Sequence, residues 1–200
     1  MGRDPRFARM WETFGEDVHL VSELGVELVK GYEGENNEVS NPFHVASCLK
    51  HYLGYGTPWS GKDRTPAHMS DTELRERHLP AFEAAIEAGA HTVMVNSGLI
   101  NGVPVHASYE LLTGLLKEEL GFEGLVVTDW ADINNLHSRD RVAVNHKEAV
   151  KLAINAGIDM SMIPYSLDFC DDLVALVNEG EVAMARIDDG DLLVEVLDGV

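Results

Sequence analysis

The sequence predicts an α/β fold in which parallel strands alternate with helices, as part of a TIM (β/α)8 barrel. Three apolar segments typical of buried strands begin near Thr92, Leu125 and Ile158, at intervals of 33 residues, and a helical pattern follows each one. Regular alternation at this period indicates parallel strands joined by right-handed crossovers. The alternative is an open doubly wound sheet that binds a nucleotide. Because the chain has no glycine-rich phosphate loop, the barrel is favoured.

Apolar periodicity and turn residues define the elements of the first half of the chain. Leucines and valines recur at helical spacing as far as Gly31, which predicts a first helix that this glycine ends. Ser70 and Glu73 form a capping box, which predicts the start of a second helix. The loop over residues 54–66 has the length of a functional loop. The predicted elements are a helix over residues 16–30, a strand over 45–49, a helix over 70–88 and a strand over 92–95.

The same patterns continue through the second half. Ser108 caps a leucine-rich helix, and Gly157 ends a later helix. Residues 191–197 fit the period of a strand as well as that of a helix, and the helix is favoured. The other predicted elements are a helix over residues 108–120, a strand over 125–127, a helix over 147–156, a strand over 158–163 and a helix over 168–179.

Polar side chains stand where three of these strands end. The apolar run before Asp129 is typical of a strand buried on both faces, yet it finishes on a carboxylate, which is costly to bury unless it is paired, hydrogen-bonded or catalytic. The structural alternative is that Asp129 caps the next helix. In barrels the chemistry lies at the C-terminal ends of the strands, and cations, a carboxylate and an aromatic ring at one rim suit a neutral polyhydroxylated ligand. The strand-end residues are Lys50, His51, Asn96, Ser97, Asp129 and Trp130.

Composition excludes several classes of partner. The net charge of −19, from 34 acidic and 15 basic residues, argues against nucleic acid and against an anionic membrane surface. No apolar run is long enough to span a membrane, and no signal peptide is recognised, so the localisation is not predicted. The histidines lack ligand spacing, so neither a metal site nor a cofactor is predicted. Cys48 and Cys170 are far apart and are predicted to be buried thiols.

Six segments, in the same order, resemble the barrel domain of glycoside hydrolase family 3, the β-glucosidase family. They are residues 3–9 with 12–17, 50–54, 93–97, 124–130, 156–160 and 186–189. The resemblance implies retaining hydrolysis of terminal non-reducing β-D-glucosyl residues, with Asp129 as the nucleophile. It implies that Trp130 flanks the sugar and that Arg9, Lys50 and His51 bind its hydroxyl groups.

For several of these residues a purely structural role is the alternative to substrate binding. His51 could be a core histidine, Arg9 could merely pair with Glu12 or Glu16, and residues 62–64 could form a solvated loop tip. Ser97 and Arg64 are further candidates for substrate binding, although other family members often have an aromatic residue at the position of Ser97. The N-acetylglucosaminidase branch has an Asp-Ser-His loop where this chain has Lys-Asp-Arg at 62–64, which implies glucosidase specificity.

The resemblance also predicts the organisation of the chain. We expect one domain over residues 1–200, the C-terminal portion of a family 3 barrel, without the second domain that carries the acid/base residue. A β-glucoside or oligosaccharide is the expected substrate, and self-association or a complementing domain is the expected protein contact. Asp63 and Asp132 are the first candidates for an acid within the chain. The alternative function is a non-catalytic sugar-binding or assembly module.

Overall fold

The computed structural model describes residues 2–163 and 165–188, which form two compact units that divide between Val103 and Pro104. The stretch 191–197, for which a helix is favoured above, lies outside the described residues. In the first unit, strands β1 and β2 pair in parallel, with Cys48 opposite Thr92. The elements of this unit are α1 (Val18–Glu33), β1 (Cys48–Tyr52), α2 (Asp71–Glu73), α3 (Pro80–Glu87), β2 (Thr92–Val95) and β3 (Leu99–Ile100).

The first helix is longer than predicted. The side chain of Asp17 caps its start by accepting a hydrogen bond from the Leu20 N–H, and the helix continues through Gly31 to Gly34. Gly34 has φ +86°, which a residue with a side chain rarely adopts, so Gly34 and not Gly31 ends the helix. The leucines on which the prediction rested, Leu20, Leu24 and Leu28, are 41–49% exposed.

The strand predicted over residues 45–49 is shifted along the chain. It begins at Cys48 and runs to Tyr52, so that Lys50 and His51 lie within β1 and not after it. The pairing with β2 is irregular between Lys50 and Tyr52. The prediction that Cys48 and Cys170 are buried is wrong, because both are exposed.

A buried carboxylate joins the starts of these two strands. Glu33, at the end of α1, is fully buried and accepts hydrogen bonds from the N–H and hydroxyl of Ser47, both at 2.6 Å. Its other oxygen contacts the His91 ring. Because Ser47 precedes β1 and His91 precedes β2, Glu33 fixes the N-terminal ends of both strands relative to α1.

The helix predicted over residues 70–88 is confirmed, with one irregularity. The Ser70 hydroxyl accepts a hydrogen bond from the Glu73 N–H, as the capping box requires. Between α2 and α3 the chain forms a π-helix, Leu74–His78, in which the Leu79 N–H bonds the Leu74 carbonyl. Proline cannot donate a helical hydrogen bond, and Pro80 therefore starts α3 where the π-helix ends.

The second unit confirms most of the predicted elements. A π-helix (Glu110–Glu119) follows the Ser108 cap, and the strand and the two later helices lie where they were predicted; α4 was not predicted. The remaining elements of this part are β4 (Val103–Pro104), a 3-10 helix (Val105–Ala107), β5 (Leu125–Val127), α4 (Asp132–Ser138), α5 (His146–Ala156) and α6 (Asp168–Asn178).

The strand predicted over residues 158–163 is reduced to one parallel bridge, between Val127 and Met160. The Thr128 N–H bonds the Met160 carbonyl, but the Met162 N–H then bonds the Thr128 side-chain hydroxyl at 2.8 Å and not a backbone carbonyl. Because a side-chain hydroxyl takes the place of a backbone carbonyl as acceptor, the parallel ladder ends after Met160.

An ion cluster at Asp159 holds the start of β5. The Asp159 carboxylate is 1% exposed and accepts hydrogen bonds from Lys117 at 2.8 Å, from Arg186 at 2.6 Å and from the Val126 N–H at 2.9 Å. Arg186 also donates to the carbonyls of Ile154 and Ile158. A single buried carboxylate thus ties together the π-helix, β5 and the segment after α6.

We expect Asp159→Ala to lower the free energy of unfolding by about 3 to 5 kcal/mol, because it leaves two partly buried cations without their carboxylate. The control is Lys147→Ala, which breaks a more exposed pair with Glu179 and should cost less than about 1 kcal/mol. Urea denaturation followed by circular dichroism measures both. Equal losses for the two variants would contradict the role given to Asp159.

A second prediction concerns pH. Burial lowers the pKa of His78 from 6.5 to about 4. Between pH 4 and pH 6.5, His78 therefore binds a proton in the unfolded chain but stays neutral in the folded chain. The contribution of neutral His78 to stability is complete above pH 6.5 and is lost as the pH falls towards 4. In His78→Leu, the slope of unfolding free energy against pH should be shallower in this window. Above pH 7 the two slopes should agree, and an unchanged slope below pH 6.5 would contradict the prediction.

Candidate active site

The first unit contains a cavity of about 130 Å³ beside the C-terminal end of β1. Three predicted substrate-binding residues, Arg9, Lys50 and His51, line it. Lys50 is exposed, whereas His51 is buried. The structure thus brings Arg9 next to Lys50 and His51, which lie more than forty positions later in the sequence.

Tyr55 is the centre of the contacts in this cavity. Its ring lies 4.4 Å from the His51 ring, and the Arg9 guanidinium carbon lies 5.6 Å from its centroid. Its hydroxyl donates to Asp63 and accepts from Arg9 at 3.3 Å. Burial, followed by the hydrogen bond to Asp63, raises the pKa of Tyr55 to about 12. The cavity therefore contains a neutral phenol held in a fixed position.

Arg9 makes the ion pair that one alternative proposed. Its Nε and a terminal nitrogen bond the two oxygens of Glu12 at 2.8 and 2.6 Å. This bidentate contact lowers the pKa of Glu12, and Lys50 and His51 act in the same direction more weakly. Glu12 also lines the cavity. The cavity thus offers an ionised acceptor beside cationic donors, which is what recognition of hydroxyl groups requires.

Two predicted residues lie elsewhere in the first unit. Arg64 is in the left-handed backbone region (φ +58°), 3.9 Å from the Asp63 carboxylate, and is not among the residues that line the cavity. Ser97 follows β2 and is fully buried. Their assignment to substrate binding stays a prediction.

In the second unit, Asp129 and Trp130 lie on the turn that follows β5. Asp129 is 8% exposed, and its Oδ1 accepts the Trp130 N–H at 2.6 Å. Trp130 is 47% exposed, and its ring lies 5.8 Å from that of Tyr165 at an interplanar angle of 71°. This turn therefore carries an almost buried carboxylate directly before a half-exposed indole.

The backbone of this turn is held by the neighbouring segment at Met162. Ala131 has φ +55°, and its N–H bonds the Met162 carbonyl at 2.9 Å. Met162 in turn donates to the Thr128 hydroxyl. Ala131, in the left-handed conformation, turns the chain sharply between Trp130 and α4. Asp129 is therefore joined to the start of α4 by only two residues.

The two candidates for an internal acid differ in exposure, because the Asp63 side chain is 35% exposed whereas that of Asp132 is buried. The Asp132 side chain is 1% exposed and accepts a hydrogen bond from Asn135 at 2.7 Å. Asp63 accepts the Tyr55 hydroxyl. Both carboxylates are engaged within their own units.

Sequence reasoning missed Glu12, Tyr55 and His78, which also line the cavity. Tyr55 stands between two glycines shortly after Lys50, and such a flanked aromatic residue in a functional loop was the available signal. In the described ranges 2–163 and 165–188, no three His, Cys, Asp or Glu side chains gather as metal ligands would. In that same part of the chain, none of the helices has the length and apolarity needed to cross a membrane.

Comparison with known proteins identifies the family. The family model described as "Glycosyl hydrolase family 3 N terminal domain" matches residues 1–195. The chain is 46% identical over 192 residues to a lysosomal beta glucosidase of Dictyostelium discoideum, covering 94% of this chain and 23% of that protein. It is 40% identical over 161 residues to a beta-xylosidase of Formosa agariphila, covering 80% of this chain and 22% of the relative.

A crystal structure of a beta-glucosidase from Listeria innocua aligns with the whole chain at 32% identity and a TM-score of 0.93, and the chain covers 27% of that protein. This likeness confirms the predicted α/β class and partial (β/α)8 barrel. The chain spans about a quarter of the length of the relatives it matches. On the extent and order of these matches, the chain belongs to glycosyl hydrolase family 3.

Proposed function

We propose that this chain carries the nucleophile and part of the sugar-binding groups of a retaining β-glucosidase. The observation that carries the proposal is Asp129, a carboxylate that is 8% exposed at the end of a buried strand and next to a half-exposed indole. Burying a carboxylate costs free energy unless it is paired, hydrogen-bonded or chemically active, and Asp129 lies where a chemical role is possible. In barrels this end of a strand is the place for catalytic groups.

In the proposed reaction, an oxygen of the Asp129 carboxylate attacks the anomeric carbon of a β-glucoside. The bond from that carbon to the aglycone oxygen breaks, the aglycone oxygen takes a proton from a general acid, and a glycosyl ester of Asp129 forms. Water then attacks the same carbon and gives its proton to the deprotonated general acid, while the bond from the carbon to Asp129 breaks and glucose and the carboxylate are released. Because Asp63 and Asp132 are engaged elsewhere, we propose that the general acid comes from a complementing domain or chain.

Recognition of the sugar is proposed for the cavity of the first unit. Lys50, Arg9 and His51 supply donors to hydroxyl oxygens, and Glu12 supplies an acceptor for hydroxyl protons. Arg9 is held by Glu12 and Tyr55, so its remaining N–H groups are presented in a fixed direction. In the second unit, Trp130 is proposed separately as a face on which a sugar ring can stack.

The substrate is proposed to be a β-glucoside or a glucose-containing oligosaccharide. Relatives named beta-glucosidase and beta-xylosidase both match well, which is consistent with a shared attack at the anomeric carbon. The Listeria innocua enzyme has been crystallised with glucose and, as a mutant, with laminaribiose. A non-catalytic sugar-binding module is the alternative, and the following experiment separates the two.

We expect a 2-deoxy-2-fluoro-β-glucoside with a dinitrophenyl leaving group to label the chain covalently on Asp129. This leaving group needs little protonation, so the reaction does not depend on the general acid. Asp129→Asn keeps the shape of the side chain but removes the attacking anion, and it should abolish labelling. Asp171→Asn, an equivalent change on the exposed side of α6, is the control and should label like the parent chain. Mass spectrometry of intact protein and peptides gives the result.

Labelling at another residue, or labelling of Asp129→Asn at the parent rate, would contradict the assignment of the nucleophile. If the parent chain binds glucose but is never labelled, the non-catalytic sugar-binding module is the correct description.

The sugar-binding cavity gives a separate prediction. Lys50→Met keeps most of the apolar stem but removes the charged donor, and a hydrogen bond to a charged group contributes about 1.5 to 3 kcal/mol, or roughly a 10- to 150-fold rise in Kd. Lys62→Met, on the exposed part of the following loop, is the matched control and should leave the Kd unchanged. Titration calorimetry with methyl β-glucoside measures both. Similar affinities for the two variants would remove Lys50 from the site.

A further inference from the structure

His106, in the short helix Val105–Ala107, is a buried histidine that the proposed reaction does not use. Its side chain is 3% exposed, and its Nε2 has no hydrogen-bond partner among the described residues. Oδ2 of Asp132 lies 3.8 Å from this nitrogen. A buried ring nitrogen without a partner costs about 1 to 3 kcal/mol, so its retention calls for an explanation.

The two oxygens of Asp132 have different surroundings. Oδ1 accepts a hydrogen bond from Asn135 at 2.7 Å and lies 3.9 Å from Arg139, whereas Oδ2 faces His106. The carboxylate is therefore held on one side by α4, and its other side is aimed at the 3-10 helix. It connects these two elements inside the second unit.

Asp132 is also the far end of the turn that carries the nucleophile. Its backbone N–H lies 3.4 Å from the carbonyl of Asp129, and only Trp130 and the left-handed Ala131 stand between them. We expect a displacement of Asp132 to move Asp129 and Trp130 as well, because only two residues connect Asp132 to Asp129.

We propose that His106 and Asp132 form a positioning pair that fixes the turn bearing Asp129 and Trp130. A hydrogen bond needs a separation of about 2.9 Å, so a movement of about 1 Å closes the pair. The pair gives the turn a second support beside its backbone bonds to Met162.

The charges around the imidazole agree with a donor role. Burial lowers the pKa of His106, while Asp132, Asp129 and Asp140 oppose this shift and Arg139 adds to it. The ring is thus neutral at pH 7, and a neutral imidazole with its proton on Nε2 can donate to Oδ2 of Asp132.

The decisive measurement is the indole N–H signal of Trp130 in an NMR spectrum of the ¹⁵N-labelled chain. The sequence has three tryptophans, so this signal is assigned by its loss in Trp130→Phe. His106→Phe keeps a ring of similar size but removes the donor, and it should shift or broaden the Trp130 signal. His106→Gln restores an N–H donor and should return the signal towards that of the parent.

His146→Phe is the matched control, because His146 is another histidine of this unit that contacts an aspartate, Asp172, and a residue of α4, Asn134. It should leave the Trp130 signal in place. An unchanged signal in folded His106→Phe, or an equal change in His146→Phe, would overturn the proposal. If circular dichroism shows that His106→Phe is unfolded, Asp132→Asn replaces it under the same criteria.

The kinetic consequence rests on the proposed function and is read separately. In His106→Phe, the rate constant for labelling of Asp129 should fall by up to roughly 100-fold, the effect of misplacing a reacting group by about 1 Å, while the binding constant of the fluoroglucoside stays the same. A loss confined to binding would overturn the positioning role. A parent chain that is never labelled would contradict the proposed function, and the NMR result would still decide the pair.

Discussion

A carboxylate that leaves water must be compensated by hydrogen bonds or by opposite charge, and this requirement determines where the strands of both units begin. Glu33 takes the N–H and hydroxyl of Ser47 and contacts His91, which fixes the starts of β1 and β2. Asp159 does the same for β5, through the Val126 N–H and two cations. Removing water from these acids costs several kcal/mol each unless every lone pair finds a donor. The same residues that satisfy them therefore set the positions of helices and strands.

The residues near the C-terminal ends of the strands are held in a different way. Arg9, Lys50 and His51 line a cavity, and Asp129 accepts the N–H of Trp130 at 2.6 Å. The geometry of these side chains is held by Tyr55 in one unit and by the turn to α4 in the other. Acids at strand starts stabilise the fold, whereas we propose a chemical role for the acid after β5. This division between a stability end and a chemical end is general in barrels.

Much of this could be predicted from sequence, and the failures have physical causes. Strand β2, strand β5 and the helices α5 and α6 follow from apolar periodicity and from caps such as Gly157, which are local signals. The end of α1 was misplaced because Gly31 is a glycine without positive φ, whereas Gly34 has it. The strand at 158–163 failed because the Thr128 hydroxyl takes over a ladder bond, which no periodicity reveals. The strand-end residues were found by the barrel rule and the family resemblance, whereas Glu12 and Tyr55 depend on how loops fold back.

His106 and Asp132 illustrate what local patterns cannot contain. They are 26 positions apart and neither lies at a strand end; Asp132 was a candidate for an internal acid, and His106 matched no pattern. Only the fold places the imidazole 3.8 Å from the carboxylate that begins α4. The turn that bears the proposed nucleophile has backbone bonds to a single neighbouring segment, and these restrain it on one side only. In our proposal the buried pair restrains the other side, and this restraint is the physical reason for two polar groups at this place in the interior.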